Sequence, residues 1–299
     1  MKKYQRDFVT MGCPASIQIY TKDDGEVLLD KCVLEAERFD KKYSIYLADS
    51  LLSKINTAAG KQAIKIDEEC FQIFKYAGIC HQISHGLFDI TAGPLSKLWQ
   101  QTQMPHKDQI KQTLKLVGWD KVELAENNIY LPLRGMSIDL GGVVKEYAVD
   151  AIANLLGLAG VTQGVINLAG DICVIGPQPF DLPWQIGISQ PGNYAKPIAY
   201  IDMANGSITT SGSEERFIEI DGQKFSHLIS PLTGAPVRGL KSVTVRADQT
   251  ITAGSLTSIA MLMESEDALS WLKSLGLPYI AVDLNDKNHG TFFVDRSIR

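Results

Sequence analysis

The stretch Asp139-Leu140-Gly141-Gly142-Val143-Val144-Lys145-Glu146-Tyr147-Ala148-Val149-Asp150 decides how the rest of the chain is read. Two adjacent glycines mark a turn, and the run after them carries neither Pro nor Gly until it is long enough for a helix over 143–156. A Gly-Gly entry into a helix presents main-chain N–H groups and the helix N-terminus together, an arrangement suited to an anion. Upstream, spacings of three and four place Leu28, Leu29, Cys32, Val33, Ala36 and Phe39 on one face of a helix over 25–41. A short helix is expected over 50–55, capped by Ser50 or Asp49. A stronger one covers 67–83 behind Asp67 and Glu68, and Gly93-Pro94 starts another. Residues 15–20 alternate as a strand, and 130–138 read as a strand pair turning near Arg134-Gly135.

Downstream the texture changes. Short β-rich runs at 165–168, 172–175, 184–188, 198–201, 217–220 and 242–245 are separated by Gly, Pro and Asn-Gly signals. Residues 253–274 return to helix, and 279–282 with 291–294 read as a closing strand pair. Helices and strands thus come in blocks rather than in strict alternation, which predicts an α+β fold. No linker, repeat or low-complexity segment divides the chain, so a single domain over 1–299 is expected.

The 299 residues are 45% hydrophobic and 21% charged, ordinary values for a globular chain. Lys and Arg number 29 against 34 Asp and Glu, a net charge of −5, so no basic excess exists for a nucleic acid. No apolar run approaches the roughly 18 residues of a membrane span. Asp7 falls where a signal peptide is most apolar, which argues against cleavage or lipidation at Cys13. Cys13, Cys32, Cys70, Cys80 and Cys173 are scattered without a C-x-x-C pair, as expected of reduced thiols in the cytoplasm.

Two further small-residue segments, Asn167-Leu168-Ala169-Gly170-Asp171 and Thr209-Thr210-Ser211-Gly212-Ser213, read as turns able to offer amides to phosphate, or as plain turns. Neither matches G-x-G-x-x-G or a P-loop. His81 and His85 have ligand spacing on a helix, but Gln82 stands where the zincin motif has Glu. Ser211 lacks the G-x-S-x-G elbow of a hydrolase. His227, just before the turn Ile229-Ser230-Pro231-Leu232-Thr233-Gly234, is the better candidate for a catalytic histidine, with a packed turn histidine as the alternative. Tyr43, Tyr46 and Trp99 suit either an aromatic ligand or the core.

Taken in order, these segments resemble the ApbE flavin transferase family, the FAD:protein FMN transferases. The resemblance runs through Met11-Gly12, Ser44-Ile45-Tyr46-Leu47-Ala48-Asp49-Ser50, Ile55-Asn56 and Gly86-Leu87-Phe88-Asp89-Ile90-Thr91-Ala92-Gly93-Pro94-Leu95. It continues through Ile138 to Asp150, Asn167 to Asp171, Thr210-Ser211-Gly212, His227 to Pro236 and Ser242-Val243-Thr244-Val245. It implies an α+β fold of mixed or antiparallel sheets flanked by helices, which binds FAD. The implied reaction is magnesium-dependent: FAD is cleaved, AMP leaves, and FMN is attached to a Thr or Ser of an acceptor flavoprotein. Some members instead hydrolyse FAD to FMN and AMP.

By motif position, the resemblance implies that Met11 and Tyr46 pack against the flavin. Leu87, Phe88, Asp89, Asp139, Lys145 and Ile229 then lie along the cofactor, and Gly142 offers its carbonyl to the metal. The chain departs from the family pattern on the metal side. Gly254 stands where an Asp is expected, Thr257 at a second Asp position and Ser258 in place of a Thr. Glu146 replaces a Gly, Ala169 the first Gly of a Gly-Gly-Asp turn, and Ser230 an Asp. These departures support a second reading, a catalytically silent FAD-binding protein. An Asp restored at position 254 is expected to raise activity if the pocket is otherwise competent.

Overall fold

The computed structural model describes residues 1–101, 103–213, 217–220 and 222–292. A hairpin of β1 (Lys2–Thr10) and β2 (Cys13–Thr21) leads into α1 (Gly25–Tyr43) and α2 (Leu51–Thr57). The chain continues through β3 (Ile64–Lys65), α3 (Glu68–Ile83), α4 (Gly93–Trp99), α5 (Lys107–Leu114), β4 (Glu123–Ala125) and β5 (Asn128–Tyr130) to α6 (Val144–Leu158). The β-rich part holds β6 (Gly164–Leu168), β7 (Asp171–Gly176), β8 (Trp184–Gln190), β9 (Asn193–Met203), β10 (Gly206–Gly212), β11 (Phe217–Ile220) and β12 (Gln223–Ser226). It closes with β13 (Ser242–Ala247), α7 (Thr250–Met261), α8 (Ser265–Ser274), β14 (Tyr279–Val282) and β15 (Asn288–Gly290).

Eight strands form the central antiparallel sheet, in the order β1-β2-β6-β7-β10-β13-β14-β15. Alternation along β2 buries Ile17 and Ile19 completely, and they meet Leu29 of α1 and Val149 and Ile152 of α6. At the far end, Val243 and Val245 of β13 pack on Leu256 and Ala260 of α7. Each buried Val, Leu or Ile among them contributes about 1.5–3 kcal/mol. The β8–β9 ribbon packs Trp184, Ile188 and Met203 with Val174 of β7 and Ile208 of β10. Helices α2 and α3 build a second core on Phe39, Phe74 and Ile129, reaching Val144 and Ala148 of α6. The α+β expectation holds, and the segment at 139–150 joins the two cores.

Local chemistry accounts for the helix starts. Asp24 accepts from the N–H groups of Glu26 and Val27, and Asp67 accepts from that of Cys70 at 3.0 Å. Ser50, rather than Asp49, caps α2, its hydroxyl accepting from Ser53 N–H at 2.9 Å.

Three sequence expectations are corrected. Residues 130–138 are not a strand pair: the hairpin is β4–β5, and Pro132 with Gly135 at φ +95 bends the chain beyond Tyr130. Segment 209–213 is not a turn, because β10 runs through Gly212 in register with β13, and Thr210 and Thr244 share a 2.9 Å hydroxyl bond. β-branched Thr fits the pleat as well as it fits a loop. The helix over 253–274 is broken between Met261 and Ser265 into α7 and α8. The partner of β14 begins earlier than expected, at β15, and Thr291 continues the pairing, its N–H donating to the Tyr279 carbonyl at 2.9 Å; 293–294 lie outside the described residues.

Candidate active site

A cavity of about 350 Å³ opens where the loop before α4, the Gly-Gly entry to α6, the β6–β7 turn, the end of β10, the 227–231 loop and α7 converge. Its loops are held by polar side chains that spend their hydrogen bonds on backbone. The Asn56 side chain brackets Ile138, donating to its carbonyl at 2.9 Å and accepting from its N–H at 2.7 Å. Asp139 N–H donates to the Ile90 carbonyl at 2.8 Å, laying the two cavity loops side by side. Asp89 is almost fully occupied internally. One carboxylate oxygen accepts from the Thr91 N–H and hydroxyl at 2.8 and 2.6 Å, the other from Trp119 N–H at 2.9 Å. His81 Nε2 lies 3.5 Å from that second oxygen.

The Asp139 carboxylate accepts from Gly141 N–H at 2.9 Å and sets the turn into α6. A Cβ on Gly142 would stand 3.4 Å from the Phe88 ring and 3.7 Å from the Ser258 hydroxyl, so these three groups form one cluster at the helix entry. Lys145, one turn on, pairs with the buried Asp171 of β7. Ala169 in the β6–β7 turn holds φ +50, a left-handed conformation that favours glycine.

Helices α6 and α7 run antiparallel through two paired positions. Both oxygens of Asp150 accept from α7, from Thr250 and Ile251 N–H at 2.8 Å each, capping that helix. Burial pushes the Asp150 carboxyl up, opposed by these two amides. Four residues earlier on α6, Glu146 faces Gly254. A Cβ at Gly254 would come within 2.4 Å of Glu146 Cγ and 3.1 Å of its Oε1, so the Glu146 side chain fills the space a residue at 254 would need. Glu146 lines the cavity, is 5% exposed, and its Oε2 has no hydrogen-bond partner among the described residues. Burial raises its carboxyl above the ordinary value, with Lys145 as the main opposing charge.

Nine of the sequence-predicted site residues meet at this cavity: Leu87, Phe88, Asp89, Asp139, Gly142, Lys145, His227, Ile229 and Ser258. Three do not line it. Met11 occupies the β1–β2 turn at φ +50, its N–H donating to Asp40 at 3.0 Å, and Tyr46 is 87% exposed on the loop before α2. Thr257 is buried behind the wall, its hydroxyl donating to the Gly254 carbonyl and pairing with Ser211, each at 2.8 Å. Ser230, where the family pattern has Asp, still accepts from Leu232 and Thr233 N–H at 3.3 Å, so the turn survives the replacement. His81 and His85 converge on no ligand set, and among the described residues no group of three His, Cys, Asp or Glu is arranged to hold a metal. Sequence reading missed the shared volume of Glu146 and Gly254; each position was visible as a departure, but their contact is a tertiary fact.

The pattern of the ApbE family matches residues 11–281. An FAD:protein FMN transferase of Klebsiella pneumoniae (strain 342) is 30% identical over 250 residues, 81% of this chain and 77% of that one. Another, of Treponema pallidum (strain Nichols), is 26% identical over 297 residues, 91% of this chain and 82% of that one. The crystal structure of an ApbE protein from Thermotoga maritima superposes with a TM-score of 0.89 at 26% identity, covering 97% of each chain. The flavin transferase ApbE from Vibrio cholerae shares the fold at a TM-score of 0.87 and 23% identity, again over 97% of each chain. With the family pattern running from the hairpin turn at Met11 through the Gly-Gly helix entry to strand β14, this chain belongs to the ApbE family.

Proposed function

We propose that the protein is an FAD:protein FMN transferase, a single catalytic domain that cleaves FAD and joins FMN to a Thr or Ser hydroxyl of an acceptor flavoprotein, releasing AMP. The observation that carries this reading is the convergence of nine motif residues on one cavity at the N-terminus of α6. The helix N-terminus and Lys145 favour the negative charge of the FAD pyrophosphate. Phe88 and Ile229 give the cofactor apolar walls, and Asp89 and Asn56 act through the loops they fix. His227, on the cavity wall, is assigned to proton transfer at the acceptor hydroxyl. Met11 and Tyr46, which the resemblance sets against the flavin, do not line the cavity, and a role for them would need the flavin ring or the acceptor to extend beyond it.

The donor set fits the divalent cation that the family reaction implies. Gly142 and Ser258 offer neutral oxygens at the cavity, and one buried carboxylate oxygen of the wall is unpartnered. When bound, magnesium would offset the charge that gathers on the pyrophosphate during displacement. The five cysteines are buried and none is joined in a disulfide, which supports a cytoplasmic protein with a cytoplasmic or cytoplasm-facing acceptor. No helix among the described residues is long and apolar enough to cross a membrane.

The test is incubation with FAD and an acceptor domain, with magnesium or EDTA, counting AMP, free FMN and modified acceptor by chromatography and mass spectrometry. Magnesium-dependent AMP with modified acceptor is expected. Free FMN without adduct would make the protein a pyrophosphatase, and FAD retained intact under every condition would make it a binding protein.

A further inference from the structure

We propose that Glu146 supplies the anionic oxygen for a divalent cation in the cavity, doing from α6 what a carboxylate at position 254 would do from α7. The inference deepens the transferase reading and rests on it. Three observations carry it. The Glu146 carboxylate is buried in the cavity wall with Oε2 unpartnered, a costly state for a charged group and one that a cation resolves. It occupies the volume a side chain at 254 would take, with 2.4 Å between Cγ and the site of that Cβ. It also lines the same cavity as Gly142, at the entry to α6, and Ser258, one turn beyond Gly254 on α7, the two groups that offer neutral oxygens there.

The other acidic groups nearby already carry partners. Asp171 is paired with Lys145, Asp150 caps α7, both oxygens of Asp89 accept from Thr91 and Trp119, and one oxygen of Asp139 accepts from the Gly141 amide. Gly254 and Glu146 are therefore one exchange. The carboxylate has moved across the seam between the helices, and the glycine is the vacancy that lets it in.

The experiment uses the full chain saturated with FAD, without acceptor, and Mn²⁺ as the probe, its bound fraction read by electron paramagnetic resonance. FAD affinity without cation is followed separately by flavin fluorescence. Wild type is expected to take up one Mn²⁺. Glu146→Gln should weaken that binding about tenfold or more, with FAD affinity kept within about twofold. Glu146→Gly should behave like Glu146→Gln, and the double variant Glu146→Gly/Gly254→Asp should recover Mn²⁺ binding. Recovery in the swap is a result that a merely structural Glu146 would not give, and it guards against a Gln variant that folds poorly. Mn²⁺ held as tightly by Glu146→Gln or Glu146→Gly as by wild type would overturn the assignment. So would an FAD-loaded wild type that takes up no Mn²⁺, which leaves the FAD reading standing. Failure of wild type to bind FAD would bring down the transferase reading and this one together.

Discussion

The two walls of the cavity treat their carboxylates in opposite ways. On the loop side, Asp89 and Asp139 accept from nearby backbone N–H groups, and their charge is spent on shaping the chain. On the helix side, Glu146 sits between α6 and α7 with an oxygen that nothing among the described residues satisfies. Partnered carboxylates are architecture; an unpartnered one in a cavity wall is held in readiness for a ligand, at a cost in stability.

The sharpest way to break this contrast is Gly254→Asp alone. With Glu146 in place, the new side chain collides with it and adds a second carboxylate to a buried seam. A loss of about 3 kcal/mol or more is expected in urea denaturation, and the same substitution on Glu146→Gly should cost far less. On the sequence alone, Asp at 254 is expected to raise activity if the pocket is otherwise competent; the shared volume makes that condition the removal of Glu146.

Asp89→Ala attacks the other wall. Leaving the Thr91 and Trp119 donors without their acceptor should cost about 2–3 kcal/mol in the same assay. Asp150→Asn, which keeps the shape but not the charge of the α7 cap, should cost about 1 kcal/mol.

A pH series sharpens the comparison in sign. Although burial alone would raise it, Glu69 on α3 meets Arg38, Lys42 and the Tyr43 hydroxyl, which bring its carboxyl down to about 2. A depressed carboxyl contributes stability above its unfolded value, lost as pH falls through the folded one. Glu69→Gln should therefore be less stable than wild type at neutral pH, by about 1 kcal/mol after solvent screening. The difference should close as pH falls from about 4.5 towards 2. Glu146 is raised, so its sign reverses. Without cation, Glu146→Gln should match wild type in acid and become the more stable protein as pH rises above the unfolded carboxylate value. Chemical denaturation of both variants across pH reads the two trends. The smallest effect is Ala169→Gly, which relieves a left-handed alanine and should stabilise by about 0.5 kcal/mol in thermal unfolding.

Much of this was legible in the sequence, for local reasons. The cap at Asp67 and the Gly-Gly entry to α6 are decided within a few residues and are legible there, as is the α2 cap down to a choice between Ser50 and Asp49. Ordered motifs located most of the cavity wall, because each motif brings its own turn. Hydroxyl-rich β10 was mistaken for a turn because Thr and Ser serve both states, and only pairing with β13 decides between them. The meaning of Glu146 and Gly254 was beyond reach for the same reason. They are separated by more than a hundred residues, and what makes them a pair is a shared volume between two helices.

That shared volume links the fates of the two positions. A mutational scan that changes one residue at a time would score Gly254 as intolerant of any side chain. It would score loss of Glu146 as damaging for a different reason, and would find no connection between them. Only a pairwise library would reveal sign epistasis, in which a substitution harmful in the present background becomes beneficial once its neighbour across the helix seam has changed. A lineage moving between the two arrangements by single substitutions must pass through a chain with both carboxylates or with neither, so this corner of the active site is easier to keep than to exchange.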